Sequence, residues 1–340
     1  MYRLSFIIPV YNVENYVLPC LESAARAGGG RCEIVIVDDG STDKSGEICD
    51  AFAKDHPEAV VIHQKNAGLG GARNTGIEAA RGEYLFFLDS DDTVTDDAAD
   101  TVLSELDKTD ADILEFRIRG HREDGSELYT TSQPLEAGRI YDVKNDKFIL
   151  TVTPSACDKV FRASLFRNTG VRFPDHVWYE DLWTVPKLTA SSKRYVYTDS
   201  VIYNYLCRTG SIMNNSKTER CGEIMGAMES TRMWFRENGL EEQYSQELEY
   251  MTATHVLADA CTRVIKQAGW RHPLLKKLRA YTLEHCGRGF MKTNTYCRAL
   301  GGSRRIVMQL LYRGHFFLLW LIFKIKYGFL SYLRSYMGLR

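Results

Sequence analysis

"GEYLFFLDSDD", residues 82–92, places five apolar or aromatic side chains (Tyr84 to Leu88) directly before three carboxylates, Asp89, Asp91 and Asp92. A short apolar run without polar alternation is the pattern of a strand covered on both faces. Carboxylates at the end of such a strand cost free energy unless something positive or hydrogen-bonding faces them. Two aspartates spaced i, i+2 after a strand can offer oxygens to one hard divalent cation, with a diphosphate completing its shell. The simpler possibility is a solvated turn whose Asp91 or Asp92 caps the following helix.

The surrounding sequence repeats this design. "LSFIIPV" (4–10) and "CEIVIVDDG" (32–40) are further apolar strands, the second also ending in carboxylates, and "AVVIHQ" (59–64) is a third. Helical patterns separate them. Residues 12–28 carry an apolar face with Asn12 as the expected cap, although Pro19 implies a kink or a late start. "STDKSGEICDAFAKDH" and "DDAADTVLSELDKTD" are also helical, and "GLGGARNTGIEAARG" is a glycine-rich turn entering a helix. "ADILEFRIR" (111–119) is another strand. Alternating strands and helices predict an α/β fold with a mostly parallel sheet. Residues 121–150 read as a hairpin excursion, and 151–206 as short strands with a helix near "YEDLWTVPKLTAS". From about 217 to 300 the pattern is helical.

In an open α/β sheet, ligands bind beyond the carboxyl ends of the strands. The tips "PVYN", "VDDGSTD" and "LDSDD", with "NAGLGGARNTG" after the third strand, would gather at one edge. Asp39 is placed there to accept from a base or ribose, the glycines to let backbone approach a phosphate, and Arg73 to supply a cation. The glycine spacing is not a dinucleotide fingerprint and follows the third strand, which disfavours a nicotinamide-dependent dehydrogenase. His63, inside a strand, reads as a packed histidine. Trp178 and Trp183 read as core residues before they read as a sugar-stacking face.

The strings "SFIIPVYN", "IVIVDDGSTD", "NAGLGGARNTGIEAARGEYLFFLDSDD" and "WYEDLWTVPKL", in this order, resemble the family 2 nucleotide-sugar glycosyltransferases of GT-A fold, in particular the bacterial polysaccharide and capsule members. The resemblance covers roughly residues 3–215 and implies an inverting transferase with a nucleotide-diphosphate sugar donor, usually a UDP-sugar. It assigns Pro9, Val10, Tyr11 and Asp39 to the base and ribose, with Arg73 reaching the base. Asp89 and Asp91 become the metal-binding pair for Mn²⁺ or Mg²⁺, with Asp92 in support. Asp181 becomes the base that takes the acceptor proton, with Glu180 anchoring the acceptor. "YNYLCRTGSIMNN" (203–215) resembles the segment after the base in polymer-type members, where Arg208 and Ser211 would contact the donor phosphates. Two alternatives stand beside this one. Transfer to a polyprenyl phosphate would make Asp181 dispensable, and a non-catalytic nucleotide-sugar-binding scaffold would need neither carboxylate set.

A formal net charge of −1 suggests no partner by itself, nucleic acid included, but its distribution does. No acid follows Glu284, and ten Lys/Arg do, so that tail is +10 and residues 1–284 are left with −11. The expected divisions are a GT-A domain (1–215), a helical domain (216–303) and a basic amphipathic tail (304–340). The tail's longest apolar run, Phe316–Phe323, has eight residues, whereas spanning a bilayer takes about 20. A surface-lying helix on an anionic membrane fits that pattern, as does a terminal helix docked on the protein. Nine cysteines lack any CxxC spacing and point to reduced thiols in a cytosol. The expected location is therefore cytoplasmic, peripheral on the inner face of the cell membrane, with a glycan or lipid-linked acceptor.

Overall fold

The structure is a computed structural model that describes residues 2–208 and 217–325. The chain divides into two compact units, Met1–Ile212 and Met213–Arg340.

The first unit is an α/β sheet flanked by helices. Its strands are β1 (Leu4–Val10), β2 (Glu33–Asp38), β3 (Ala59–His63), β4 (Tyr84–Phe87), β5 (Thr93–Val94), β6 (Ile113–Arg122), β7 (Glu127–Thr130), β8 (Ile140–Tyr141), β9 (Lys159–Arg162) and β10 (Tyr195–Cys207). Their order is β3-β2-β1-β4-β9-β6-β10-β5, with β7 beside β6 and β8 beside β10. β3, β2, β1 and β4 run parallel, so their carboxyl ends share one edge. β9 is inserted antiparallel between β4 and β6. β1, β2 and β4 are buried along their whole length.

The helices are α1 (Val17–Gly28), α2 (Ser45–Asp55), α3 (Gly68–Ala79), α4 (Ala98–Thr109), α5 (Ala163–Thr169) and α6 (Glu180–Ser191). Alternation along β4 feeds two cores. Phe86 joins Phe6, Leu21, Ile36, Val102 and Phe116 on one face. Phe87 meets Phe161, Phe166 and Phe173 edge-on at 5.4–5.9 Å on the other. Such edge-to-face contacts add about 0.5–1.5 kcal/mol each beyond burial. They seat α5 and the loop before α6 against the sheet.

α1 starts late, at Val17, which puts Pro19 in its first turn, where a missing N–H costs nothing. Asn12 does not cap it. With φ 51°, Asn12 instead accepts from Thr42 N at 2.7 Å and ties the β1 tip to the β2 tip. His63 is not packed away either. Its half-exposed ring bridges Asp38 at 2.8 Å and Asp50 at 3.0 Å, and these hydrogen bonds raise its pKa.

The second unit is helical: α7 (Glu223–Glu237), α8 (Ser245–Met251), a π-helical stretch Thr252–Ala260, α9 (Cys261–Ala268), α10 (Leu274–Cys286), α11 (Phe290–Thr293), α12 (Thr295–Ala299), α13 (Gly302–Arg313) and a further helix over 316–325. Met228, Phe235, Leu248, Leu257, Leu278 and Phe290 form its interior, to which α13 adds Met308 and Leu311.

Candidate active site

Arg73 is the centre of the site. It lies on α3 with its side chain only 2% exposed, and its guanidinium reaches Asp89 at 2.9 Å, Glu180 at 3.1 Å and Asp181 at 2.8 Å. Its face lies over the Phe173 ring at 5.2 Å. Arginine suits this position because its planar, permanently charged fork can serve several carboxylates at once. One cation thus joins the tip of β4 to the first turn of α6. Both of its terminal nitrogens face these carboxylates.

Asp39 follows β2 directly and meets the N-terminus of α3. One carboxylate oxygen accepts from Gln64 Nε2 (2.7 Å) and Ala67 N (2.8 Å), the other from Gly68 N (2.8 Å). The anion at the α3 N-terminus is therefore Asp39 itself, which is where a helix favours negative charge. The glycines that follow serve close packing. A Cβ on Gly70 would come within 2.1 Å of Pro174 O, and one on Gly76 within 2.3 Å of Ile7 Cγ2.

The three carboxylates of "DSDD" divide their work. Asp89 gives one oxygen to Arg73, and Asp91 gives one to Arg208 Nε at 2.7 Å. Arg208 also stacks on Tyr16, 4.8 Å from its ring centre. At Asp92, Tyr203 Oη donates to one oxygen at 2.6 Å and Leu206 N to the other at 2.7 Å. Burial, followed by the charges of Asp89 and Asp91, holds the Asp92 pKa well above the carboxylate range. Asp92 anchors β10 to the β4 tip. Tyr203→Phe is expected to destabilise the protein by about 1–3 kcal/mol by leaving that buried carboxylate short of a donor; urea denaturation measures it, and an unchanged midpoint would remove this role.

Pro9 and Val10 are buried in β1, so only their backbone is placed to meet a ligand, whereas Tyr11 is half-exposed at the strand end. Ser211 lies outside the described residues. Trp178 is buried, edge-on to Tyr179. Tyr179, at the N-cap of α6, has φ 65° and ψ 31°, a left-handed conformation that bulky residues adopt only where the surroundings impose it. That turn delivers Glu180 and Asp181 into the site.

Asp181 is fixed from two sides. One oxygen accepts from Arg73, the other from Ala156 N at 3.1 Å. Burial raises its pKa against the pull of Arg73. Burial and the adjacent Asp181 charge push Glu180 up to about 7, again opposed by Arg73. The loop that presents Ala156 is itself pinned by the fully buried Lys159, whose Nζ donates to Thr153 O at 2.8 Å and Asp158 Oδ1 at 2.6 Å. Lys159 also lies 3.6 Å from Glu115, which accepts from Tyr195 at 2.6 Å. Neither Lys159 nor Tyr203 carries a local motif. Only their tertiary partners reveal them.

Among the described residues, no three His, Cys, Asp or Glu side chains converge as a complete metal shell. The pair Asp89 and Asp91 nonetheless fits a hard divalent cation. Each commits one oxygen to an arginine. Burial and then the Asp89 charge raise the Asp91 pKa, and Arg208 opposes the rise. An oxygen pair of this kind suits Mg²⁺ or Mn²⁺ whose other ligands come from a diphosphate.

Residues 5–170 match the family model "Glycosyl transferase family 2". The glycosyltransferase GlyG of Streptococcus pneumoniae serotype 4 is 30% identical over 288 residues, covering 77% of this chain and 94% of GlyG. The putative glycosyltransferase EpsH of Bacillus subtilis is 31% identical over 262 residues, 74% of each. Residues 1–349 of S. aureus TarS, solved in complex with UDP-GlcNAc, share the fold with a TM-score of 0.59 at 21% identity, covering 92% of both chains. The chain belongs to glycosyl transferase family 2 and is a glycosyltransferase of GT-A fold.

Proposed function

We propose that the protein is an inverting, metal-assisted transferase that moves a sugar from a UDP-sugar to a hydroxyl of a glycan or lipid-linked oligosaccharide in surface polysaccharide synthesis. The observation that carries this is the Arg73 bridge, which holds Asp89 and Asp181 on one guanidinium at 2.9 and 2.8 Å. The bridge sets a donor-side carboxylate and a candidate base at fixed separation on rigid elements, as displacement at an anomeric carbon requires. The UDP-sugar assignment is supported by TarS, which binds UDP-GlcNAc.

Asp89 and Asp91 would hold Mg²⁺ or Mn²⁺, which supplies charge neutralisation for a nucleoside-diphosphate leaving group. Arg208, already at Asp91, is positioned to share phosphate charge. Tyr11 offers a half-exposed ring at the β1 tip. Asp181 takes the proton of the acceptor hydroxyl, and its raised pKa improves a carboxylate that starts as too weak a base. Glu180, beside it, accepts a hydrogen bond from the incoming sugar. Arg73 opposes the rise in both pKa values and holds the two carboxylates in place.

The reading extends to placement. The domain assignment is a transferase unit over 1–215, a helical unit over 216–303 and a membrane-associating tail over 304–340, working on the cytoplasmic face. Among the described residues no helix is long and apolar enough to cross a membrane.

The test is a panel of nucleotide sugars with Mn²⁺, scored by diphosphate release with and without glycan acceptors. Turnover of a UDP-sugar that needs both metal and acceptor is expected. Asp91→Asn should lower it by roughly a hundredfold or more, as loss of a charge-stabilising group does. Full turnover by that variant would remove the metal assignment.

A further inference from the structure

The sequence FFLLWLIFKI, residues 316–325, is apolar on nearly every side of its helix. A helix that is apolar all round is normally buried all round. This one is not. Phe316 and Leu319 are buried in the second unit. Phe317, Leu318, Leu321, Ile322 and Ile325 are between 36% and 62% exposed. Their spacing of i, i+1, i+4, i+5 and i+8 makes them one continuous stripe. Five large side chains in water on ten residues form a contiguous apolar patch, not the scatter of single residues found on ordinary surfaces.

The rim of the stripe says what covers it. Beside it opens a cleft of about 480 Å³ lined by Trp270, Arg271, His272, Lys276, His315 and Phe317. The Trp270 and Phe317 rings meet at 5.2 Å, and Arg271 lies 4.6 Å over Trp270. Lys324 reaches over Trp320 at 5.8 Å and Lys266 over Phe323 at 5.3 Å. Cations on long stems that lie along aromatic rings put apolar bulk and positive charge at one level. An interfacial surface needs this arrangement, with rings at headgroup depth and ammonium or guanidinium groups at the phosphates. A second copy of this chain is a poor occupant, since its equivalent face carries the same sign and the sequence has no acid after Glu284. A neutral apolar groove would leave the cations unmatched.

We propose that the exposed face of helix 316–325, with the adjoining Trp270–Arg271–Lys276 cleft, docks the protein on an anionic lipid bilayer, the cleft taking a phosphate headgroup while Phe317, Leu321 and Ile325 enter the acyl boundary. This rests on the membrane placement proposed above, but not on the chemistry assigned to the first unit. It differs from a freely inserting amphipathic tail in one respect. The helix is mounted on the protein through Phe316 and Leu319, so docking needs no helix formation at the membrane.

The full chain is sedimented with vesicles of phosphatidylcholine containing a minor share of phosphatidylglycerol, and with pure phosphatidylcholine. Binding to the former, weakened by salt, and little binding to the latter are expected. The triple variant F317S/L321S/I325S should lose apparent affinity about tenfold or more, since it removes the inserted groups. R271E/K276E should lose roughly thirtyfold or more on the anionic vesicles, from the attraction of each basic residue to an anionic surface. Its substitutions are at exposed positions, so it serves as the independent arm if the triple variant folds poorly. Equal binding to both vesicle types, vesicle binding by both variants at the wild-type level, or a wild-type dimer that either variant turns into a monomer without change in vesicle binding would each overturn the proposal. Diphosphate release with a soluble glycan acceptor and no vesicles, unchanged in both variants, separates failure of this surface from failure of the transferase reading.

Discussion

Arg73→Met is expected to cost about 3–5 kcal/mol of stability and to abolish transfer in the same stroke. The substitution removes the one cation that Asp89, Glu180 and Asp181 share while leaving all three carboxylates in place. Breaking a buried ion pair from one side strands the other charge, and the penalty is of that size. The loss should depend on pH. Without Arg73 the folded-state pKa values of Glu180 and Asp181, already raised by burial, rise further above their unfolded values. Each then contributes stability that is present at low pH and lost as pH rises through the folded pKa. The variant should therefore be closest to wild type in mildly acidic buffer and furthest from it above neutrality. Urea denaturation at two pH values measures this. A variant that matched wild type at alkaline pH would show that the bridge contributes little. Arg73→Lys should recover part of the stability but little activity, because an ammonium point charge cannot hold three carboxylates in a fixed plane.

Arg73 also shows what the sequence made legible and what it did not. The apolar runs locate the strands to within about two residues, because burial on both faces leaves a continuous signature: β1 falls on 4–10 as read, and β4 on the run before Asp89. The gathering of tips at one edge followed from alternation, as did the fold class; the strand order, with β9 inserted antiparallel between β4 and β6, did not. The division of labour among polar residues did not follow. Asp39, Asp92 and Arg73 all stood in the right place, yet their hydrogen-bond partners lie 16 to 114 positions away: Asp89 and Asp181 for Arg73, Ala67 for Asp39, and Leu206 for Asp92. A sequence reports where a polar group stands; its remaining hydrogen-bonding capacity depends on contacts that only the folded chain makes. The glycines of "GLGG" have a role that is hidden in the sequence for a related reason. Gly70 permits a close approach to Pro174, and nothing local in the sequence announces that contact.

The base assignment makes the last large prediction. Asp181→Asn should keep the fold, since its amide oxygen can replace one of the two acceptors and Arg73 retains Asp89 and Glu180, and should leave the donor's KM nearly unchanged. Its kcat for a hydroxyl acceptor should fall by about 10²–10⁴, the usual contribution of a positioned general base. If full transfer survives, the acceptor proton does not go to Asp181, and an already anionic acceptor such as a polyprenyl phosphate becomes the better reading. The wild-type pH profile supplies an independent check. A base must be deprotonated to work, so activity should fall as pH drops and Asp181 and Glu180 take up a proton. Glu180, raised to about 7, places the acid limb near neutrality for a pair that shares its charge. Glu180→Gln removes the adjacent negative charge while keeping a hydrogen-bonding group of the same size. Deprotonating Asp181 then becomes easier, and the acid limb of kcat/KM should move to lower pH even as the maximum rate falls. A purely structural Glu180 would lower the rate without moving the limb. The direction of that movement therefore decides whether the two carboxylates at the start of α6 act as one titrating unit or as a base beside a spacer.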